Sequence, residues 1–258
     1  DGRFDKYNYV TDTTTTTYLC ALNVNRGTFE TGSVKSTQTE AEKIAANKAL
    51  NNKTFRKAIL SAFDQEKFNA ISVGEELALM SLRNMYTHPE FLSLSAETTA
   101  KDGHVFAAGT QYGDMVQYFC NKMGLGIDVH DGVNGWFNAD RAKAYAKEAV
   151  AELKAAGNWA GKVKLDVTYY SASAAQLAQA NGFKKIIEDV LGDYVEVVLN
   201  DAATSADFYA CGYRASSGAA GNYDIFYGSG WGPDFGDPIT YLDTFAPYGY
   251  MCKLNGIY

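Results

Sequence analysis

The sequence has few metal-ligating side chains and no long apolar run. Its three histidines, His88, His104 and His130, lie far apart, and its four cysteines form no Cys-x-x-Cys pair. Zinc ligands usually recur at such short spacings, so we predict no metal site. Charged residues interrupt every hydrophobic stretch before the roughly 18 residues that a membrane-spanning helix needs. The sequence therefore predicts no transmembrane helix.

Basic residues are also too few for a surface that binds nucleic acid. Lys and Arg number 23 against 30 Asp and Glu, which gives a formal net charge of -7. A phosphate backbone requires clustered positive charge, so we exclude nucleic acid as a partner. The cysteines leave one question open, because in an exported protein they can form up to two disulfides in any of three pairings. They are Cys20, Cys120, Cys211 and Cys252.

The composition is that of a folded chain with a sizeable core. Of the 258 residues, 47% are hydrophobic and 21% are charged, as in globular proteins. Single α/β domains often exceed 200 residues, so we expect one α/β lobe that spans residues 1–258.

Patterns in the first part of the chain predict one strand and then a series of helices. Residues 18–25 have strand-like composition, and we predict a buried strand there. Thr39 and Glu42 have the spacing of a capping box, which predicts a helix start. Apolar residues spaced by three and four predict further helices, and Gly124 and Gly157 are placed to end the last two. These residues are Phe55, Ile59, Ala62 and Phe63; Leu79, Leu82 and Met85; Met115, Val116, Phe119 and Met123; and Ala142, Tyr145, Ala146, Ala149, Val150 and Leu153.

The second part of the chain alternates strands and helices. The predicted strands are residues 163–169, 195–199 and 223–227, and the helices between them are residues 177–190 and 206–213. A β-α-β-α-β series predicts a parallel or mixed sheet covered by helices. Ligands of such sheets bind outside the carboxyl ends of the strands. The segment just after Tyr227 is therefore the first place to look for a site.

Residues 228–238 (Gly-Ser-Gly-Trp-Gly-Pro-Asp-Phe-Gly-Asp-Pro) combine backbone freedom with one large ring. Glycines let main chain approach a ligand closely, Trp231 offers a flat apolar wall, and a carboxylate can bind a cation. A dinucleotide-binding loop is excluded because its third glycine falls on Pro233, and no Walker Gly-Lys-Ser/Thr follows. A tight strand-to-helix connection without a ligand, with Asp234 or Asp237 as turn or cap, is the alternative.

Several motifs resemble the substrate-binding proteins of oligopeptide ABC transporters, especially the streptococcal Ali/Ami-type surface lipoproteins of bacterial extracellular solute-binding protein family 5. The motifs span most of the chain in the order found in that family. They are Leu-Asn-Val-Asn-Arg at 22–26, Asn-Lys-Thr-Phe-Arg-Lys-Ala-Ile-Leu-Ser-Ala-Phe-Asp at 52–64, Ser-Leu-Arg-Asn at 81–84, Gly-Trp-Gly-Pro-Asp-Phe-Gly-Asp-Pro at 230–238 and Thr-Tyr-Leu-Asp at 240–243.

The resemblance implies one lobe of a two-lobed periplasmic-binding-protein-like fold, with a mixed, mostly parallel sheet flanked by helices. The chain would be the C-terminal peptide-binding lobe, without the N-terminal lobe and the final return segment. Such a protein uses no cofactor and performs no catalysis, but captures extended oligopeptides and delivers them to ABC permease subunits. The expected location is the outer face of the cytoplasmic membrane of a Gram-positive cell, held by a lipid anchor on the missing N-terminus.

The resemblance also implies a set of ligand-binding residues. Gly230 and Gly232 would supply main-chain contacts, Trp231 would wall a side-chain pocket, and Asp234 would pair with the α-ammonium of the peptide. Such a charge-assisted hydrogen bond strengthens when closure of the lobes excludes water. For the peptide carboxylate no basic residue matches, and Arg214 is a candidate by sequence proximity only. We expect an exposed concave face that carries Trp231 and Asp234.

Other interpretations stay open at this point. The same fold could bind a signalling peptide, an oligosaccharide or a chelated metal. A glycosidase could use Asp234 and Asp237 as its carboxylate pair, although their spacing in a Gly/Pro turn does not establish the required separation. The isolated lobe could also bind nothing measurable, because half of the cleft is absent.

Overall fold

The computed structural model describes residues 16–80, 82–130, 135–232 and 239–257. Its strands are β1 (Thr17–Leu22), β2 (Glu30–Thr31), β3 (Val34–Lys35), β4 (Thr98–Thr99), β5 (Val105–Phe106), β6 (Val163–Tyr169), β7 (Val195–Asp201) and β8 (Ile225–Trp231). Its α-helices are α1 (Glu40–Asn51), α2 (Lys53–Ala62), α3 (Gln65–Val73), α4 (Tyr112–Lys122), α5 (Ala139–Ala155), α6 (Ala174–Leu191), α7 (Ser205–Cys211), α8 (Ile239–Leu242) and α9 (Tyr250–Leu254). Short 3₁₀ turns occupy Glu75–Leu77 and Asp243–Phe245.

The main sheet has four strands in the order β1-β8-β6-β7. β6 runs parallel to both β7 and β8, whereas β1 pairs with β8 in the antiparallel direction. The strands of this sheet are linked by helices, as the alternation in the second part of the chain predicts. The predicted mixed, mostly parallel sheet flanked by helices is therefore confirmed.

One face of the sheet is covered by the longer helices. Val163, Leu165 and Val167 alternate along β6 with polar residues and are fully or almost fully buried against α1, α2, α5 and α6. Each such side chain contributes about 1.5–3 kcal/mol when it is removed from water. The helix start predicted at Thr39 is confirmed, since Thr39 forms the capping box of α1, and Asn138 caps α5. Gly157 follows α5 with a φ of 70°, the left-handed conformation that favours glycine.

The other face of β6 carries a buried ion network. Nη1 of Arg26 lies 2.8 Å from a carboxylate oxygen of Asp166 and 3.0 Å from one of Asp224, and all three side chains are almost inaccessible. Nη2 of Arg26 donates to the side-chain oxygen of Asn222 over 2.7 Å, and Nε2 of Gln38 donates to Asp224 over 2.8 Å. Burial raises the pKa of Asp224, while the adjacent guanidinium opposes that rise. The network joins the segment after β1 to the centre of the sheet.

The free edge of the sheet at β7 is occupied by side chains of α6. The backbone amide of Val197 donates to Oε1 of Glu188 over 2.8 Å, and Nζ of Lys184 donates to the Val197 carbonyl over 2.5 Å. Lys184 and Glu188 also pair with each other over 2.8 Å. An ion pair from one helix therefore satisfies both backbone groups that Val197 directs away from β6.

Two predictions about the first half of the chain are wrong. The strand at 18–25 ends at Leu22 and is an edge strand rather than a buried one, since the Tyr18 side chain is 83% exposed. The helix through Leu79, Leu82 and Met85 is absent from the described residues 82–87, whose carbonyls bond to distant side chains instead. Trp136 Nε1 donates to the carbonyl of Asn84 over 3.1 Å, and the Tyr241 hydroxyl donates to that of Tyr86 over 2.7 Å.

Local patterns also missed helices, among them α3 and the short α9. α3 follows α2 directly, and the Asp64 side chain caps it by accepting from the amide of Lys67 over 3.1 Å. No helix in the described part of the chain has the length and apolarity that a membrane crossing requires.

All four cysteines lie within the described residues, and each carries a free thiol. Burial raises the pKa of Cys20 to about 12 and that of Cys211 to about 11. Because the thiolate is the reactive species, both thiols should resist iodoacetamide at pH 8 in the folded protein and react after unfolding in urea. Mass spectrometry of alkylated peptides checks this. A native protein lighter by two hydrogens per cysteine pair would show a disulfide and contradict the prediction.

The ion network gives a stability prediction. Arg26→Met removes the cation that, within the described residues, pairs with two buried carboxylates, and it should lower the free energy of unfolding by about 3–5 kcal/mol, measured by urea denaturation. Lys35→Met is the matched control, because it breaks an exposed pair with Glu30 and should change stability little. Equal effects of the two substitutions would contradict a central role for Arg26.

Candidate functional site

The glycine-rich segment after Tyr227 continues the sheet rather than forming a turn. We predicted that the strand would end at Tyr227, but β8 extends to Trp231. Tyr18 lies opposite Gly230 and Thr17 lies opposite Trp231 in the pairing with β1. Pairing with a strand about 200 residues away is not visible in the local sequence, which has turn composition. The candidate ligand-binding residues Gly230 and Trp231 therefore lie on a strand.

A bulge in β8 determines where Trp231 points. Leu19 pairs with Ser229 and Ala21 pairs with Phe226, so β8 advances three residues where β1 advances two. The extra residue lies at Tyr227–Gly228 and reverses the alternation of side chains along the strand. Ser229 and Trp231 consequently lie on the same face as Phe226.

On that face Trp231 packs among aromatic rings. Its ring centroid lies 5.5 Å from that of Tyr213, 5.6 Å from that of Tyr250 and 6.4 Å from that of Phe245. Trp231 is half-buried in this cluster, and part of its surface stays accessible. Trp231 is thus not the fully exposed wall that the sequence predicts. Three aromatic rings pack against it, and only part of its side chain is accessible.

The second edge of β8 is open where the glycines begin. β6 pairs with β8 at Val167 opposite Ile225, and β6 ends at Tyr169. This parallel register places Tyr169 level with Tyr227. From Gly228 to Trp231, β8 therefore has β1 on one side and, among the described residues, no strand on the other.

A groove of about 350 Å³ lies beside this stretch of β8. Tyrosine rings and one guanidinium line it, together with two of the glycines. The lining residues are Thr16, Tyr18, Tyr209, Tyr213, Arg214, Gly228 and Gly230. The sequence predicts Arg214 and Gly230 but not the three tyrosines, because Tyr18 reaches β8 by pairing of β1, and Tyr209 and Tyr213 reach it by packing of α7 and the turn after it.

The glycines differ in how much space surrounds them. A Cβ at Gly228 would lie 2.4 Å from Cζ of the buried Phe208, whereas one at Gly230 would lie 2.7 Å from the ring of the exposed Tyr18. Gly232, at the end of the described segment, has space limited by Thr16. Because glycine lacks a Cβ, these positions place no side chain of their own between the backbone and a ligand.

The carboxylates of the predicted site lie outside the described residues. Asp234, expected to bind the α-ammonium, and Asp237, the other half of the alternative glycosidase pair, belong to residues 233–238. Their roles therefore stay predictions. Among the described residues, no cluster of three or more His, Cys, Asp or Glu side chains has the arrangement of a metal site.

Comparison with known sequences defines the class of protein. The model for "Bacterial extracellular solute-binding proteins, family 5 Middle" matches residues 2–250, and the chain belongs to this family. Similar proteins include the oligopeptide-binding proteins AliB and AmiA of Streptococcus pneumoniae. AliB is 36% identical over 230 residues, which are 89% of this chain and 33% of AliB. AmiA is 34% identical over 223 residues, which are 86% of this chain and 32% of AmiA.

Two solved structures share the fold. OppA of Listeria monocytogenes bound to peptide has a TM-score of 0.56 at 18% identity, and the match covers 98% of this chain and 38% of OppA. The substrate-binding domain of an oligopeptide ABC transporter from Bacillus anthracis has a TM-score of 0.51 at 21% identity, again over 98% and 38%. The chain spans about a third of the length of the curated relatives that it matches. The resemblance to family 5 is thereby confirmed.

The two glycines of β8 give a paired prediction. Gly228→Ala should lower the free energy of unfolding by about 1–3 kcal/mol, because the methyl group collides with the buried ring of Phe208. Gly230→Ala should change it by less than about 0.5 kcal/mol, because the exposed ring of Tyr18 can rotate away. The two variants have the same composition, so effects on the unfolded chain cancel. Equal midpoints in urea denaturation would show that the two positions do not differ in packing.

Proposed function

We propose that this chain is one lobe of an extracytoplasmic receptor that captures extended oligopeptides for an ABC transporter. Its relatives in the family are oligopeptide-binding proteins, and the chain matches about a third of their length. In this proposal it forms the C-terminal peptide-binding lobe, and a second lobe closes over the ligand. The receptor does no chemistry on the peptide and passes it to permease subunits.

The open edge of β8 carries the proposal. Backbone N–H and C=O groups at the edge of a sheet pair readily with an added extended chain, and such pairing leaves the sequence of that chain largely unread. Between Gly228 and Trp231 no side chain larger than that of serine precedes the tryptophan, so an incoming backbone can approach closely. The tyrosine-lined groove that borders Gly228 and Gly230 has room for side chains of the bound peptide.

The remaining contacts follow from the family motif. Gly230 and Gly232 offer main-chain groups, Trp231 forms part of a side-chain pocket, and Asp234 binds the peptide α-ammonium. An ammonium-carboxylate hydrogen bond is charge-assisted and gains strength when a second lobe excludes water. In this arrangement one site accepts many sequences, because the ligand is held by groups that every peptide has.

The proposed location follows from the same family. The receptor acts at the outer face of the cytoplasmic membrane, held by a lipid anchor on the part of the receptor that precedes this lobe. Peptide capture then takes place outside the cell, next to the permease.

The α-ammonium contact gives the decisive test. Calorimetry on the complete two-lobed receptor compares a mixture of free pentapeptides with the same mixture N-acetylated. Acetylation and Asp234→Asn should each weaken binding by about tenfold or more, because each removes one partner of the charge-assisted bond. Asp193→Asn is the matched control, since Asp193 is exposed and precedes β7 at the opposite end of the parallel strands.

The outcomes of this experiment distinguish a failure of the Asp234 contact from a failure of the proposed peptide-binding function. If free peptides bind but acetylation and Asp234→Asn change nothing, Asp234 is not the ammonium partner. If no peptide binds, the proposed function is wrong, and titration with oligosaccharides or chelated metals identifies the ligand class instead.

A further inference from the structure

The family motif Ser-Leu-Arg-Asn at 81–84 lies against the start of β1. Nη2 of Arg83 donates to the carbonyl of Thr16, the residue before β1, over 2.8 Å. Nη1 of the same guanidinium is buried and finds no hydrogen-bond acceptor in the part of the chain that the structure describes. Burial accordingly lowers the pKa of Arg83. A buried cation with one donor unpaired costs folding free energy, so the contact with Thr16 adds little net stability.

A second contact fixes the next residue of β1. The carbonyl of Tyr86 accepts a hydrogen bond from the hydroxyl of Thr17 and another, over 2.7 Å, from the hydroxyl of Tyr241. The ring of Tyr86 stacks on that of Phe245 with the centroids 4.2 Å apart, and Phe245 packs against Trp231. The chain next to the motif therefore reaches Trp231 both through β1 and through Phe245.

The end of β8 depends on the start of β1 for its position. Among the described strands, β1 is the one that pairs with Gly230 and Trp231, because β6 ends level with Tyr227. Thr17 lies opposite Trp231 in this pairing. A strand end that is paired on one side opens easily unless further contacts hold it. The hydrogen bond from Arg83 is such a contact.

We infer that Arg83 is a positioning residue for peptide binding, because by holding the start of β1 it keeps Gly230 and Trp231 in the extended geometry with which a peptide backbone pairs. The inference rests on the proposed function, since it assumes a peptide along β8. Arg83 acts on the receptor and not on the ligand, so its effect is the same for every peptide sequence. An edge that is already ordered binds more tightly, because less conformational freedom is lost on pairing.

Substitution of Arg83 separates positioning from stability. Arg83→Met keeps a long apolar side chain and removes the unpaired buried donor, so the midpoint of urea denaturation should change little. The affinity of the complete two-lobed receptor, measured by calorimetry, should nevertheless fall about tenfold for pentapeptides of every sequence, the cost of ordering roughly one backbone residue. Arg83→Lys, which keeps a donor, should retain more of the affinity.

Arg56→Met is the matched control. Nη1 of Arg56 donates to the carbonyls of Leu50 and Asn51 over 2.7 and 3.0 Å, and burial lowers the pKa of this residue as well. Asn51 in turn contacts the carbonyl of Val24, beyond the other end of β1. This substitution should lower the urea midpoint, because it removes two hydrogen bonds, and should leave peptide affinity unchanged.

Hydrogen exchange provides a readout that needs no ligand. In Arg83→Met, the amides of β1 and of residues 228–231 should exchange about tenfold faster, whereas local opening there should be unchanged in Arg56→Met. Tyr241→Phe removes one hydrogen bond to the Tyr86 carbonyl, so it tests the same hold on β1 if Arg83→Met does not fold.

The outcomes distinguish positioning from packing and from direct ligand contact. Unchanged affinity in both Arg83→Met and Tyr241→Phe would show that Arg83 serves packing alone. A loss confined to peptides with one particular side chain, or with a free C-terminus, would show that Arg83 contacts the ligand instead. If the unmodified receptor binds no peptide, the proposed function is wrong, and the exchange of β1 and residues 228–231 decides whether Arg83 holds the edge.

Discussion

The register of β8 against β6, in the middle of the main sheet, depends on one guanidinium buried between two carboxylates. Arg26 contacts Asp166 in β6 and Asp224 just before β8. The same two aspartates are joined through their backbones, since the amide of Asp224 donates to the Asp166 carbonyl and the Asp166 amide donates to the Asp224 side chain. A buried carboxylate without such partners is costly, so alternative registers of β8 against β6 are disfavoured. The network therefore sets how far β8 extends beyond the end of β6.

That offset produces the candidate site. Because β6 ends level with Tyr227, the next four residues of β8 have one edge without a partner strand in the described part of the chain, and the bulge at Tyr227–Gly228 turns Trp231 into the aromatic cluster. Neither feature requires a loop. The candidate site is made from the end of a strand that the core holds in place, and in the proposed function this end is the fixed surface against which a second lobe closes.

Much of the architecture could be predicted from the sequence. The capping box at Thr39, the Asn138 cap and the period-two pattern of β6 are local signals, and the structure follows them. The parts that could not be predicted depend on distant partners. The strand character of Gly228–Trp231 comes from β1, and the carbonyls near Asn84 and Tyr86 bond to remote side chains instead of forming a helix.

The same distinction applies to the candidate site. The family motif predicted Gly230 and Trp231, whereas the tyrosines of the groove belong to no recognisable motif. Tyr18 reaches the groove through cross-strand pairing with Gly230, and Tyr209 reaches it from α7.

The ion pair between Lys184 and Glu188 has a consequence for the association of copies of this protein at high concentration. By occupying the backbone groups of Val197, it interrupts the row of groups at β7 with which a strand of a neighbouring copy would pair. In the proposed function, an added strand is thus admitted at the β8 margin and hindered at the β7 margin.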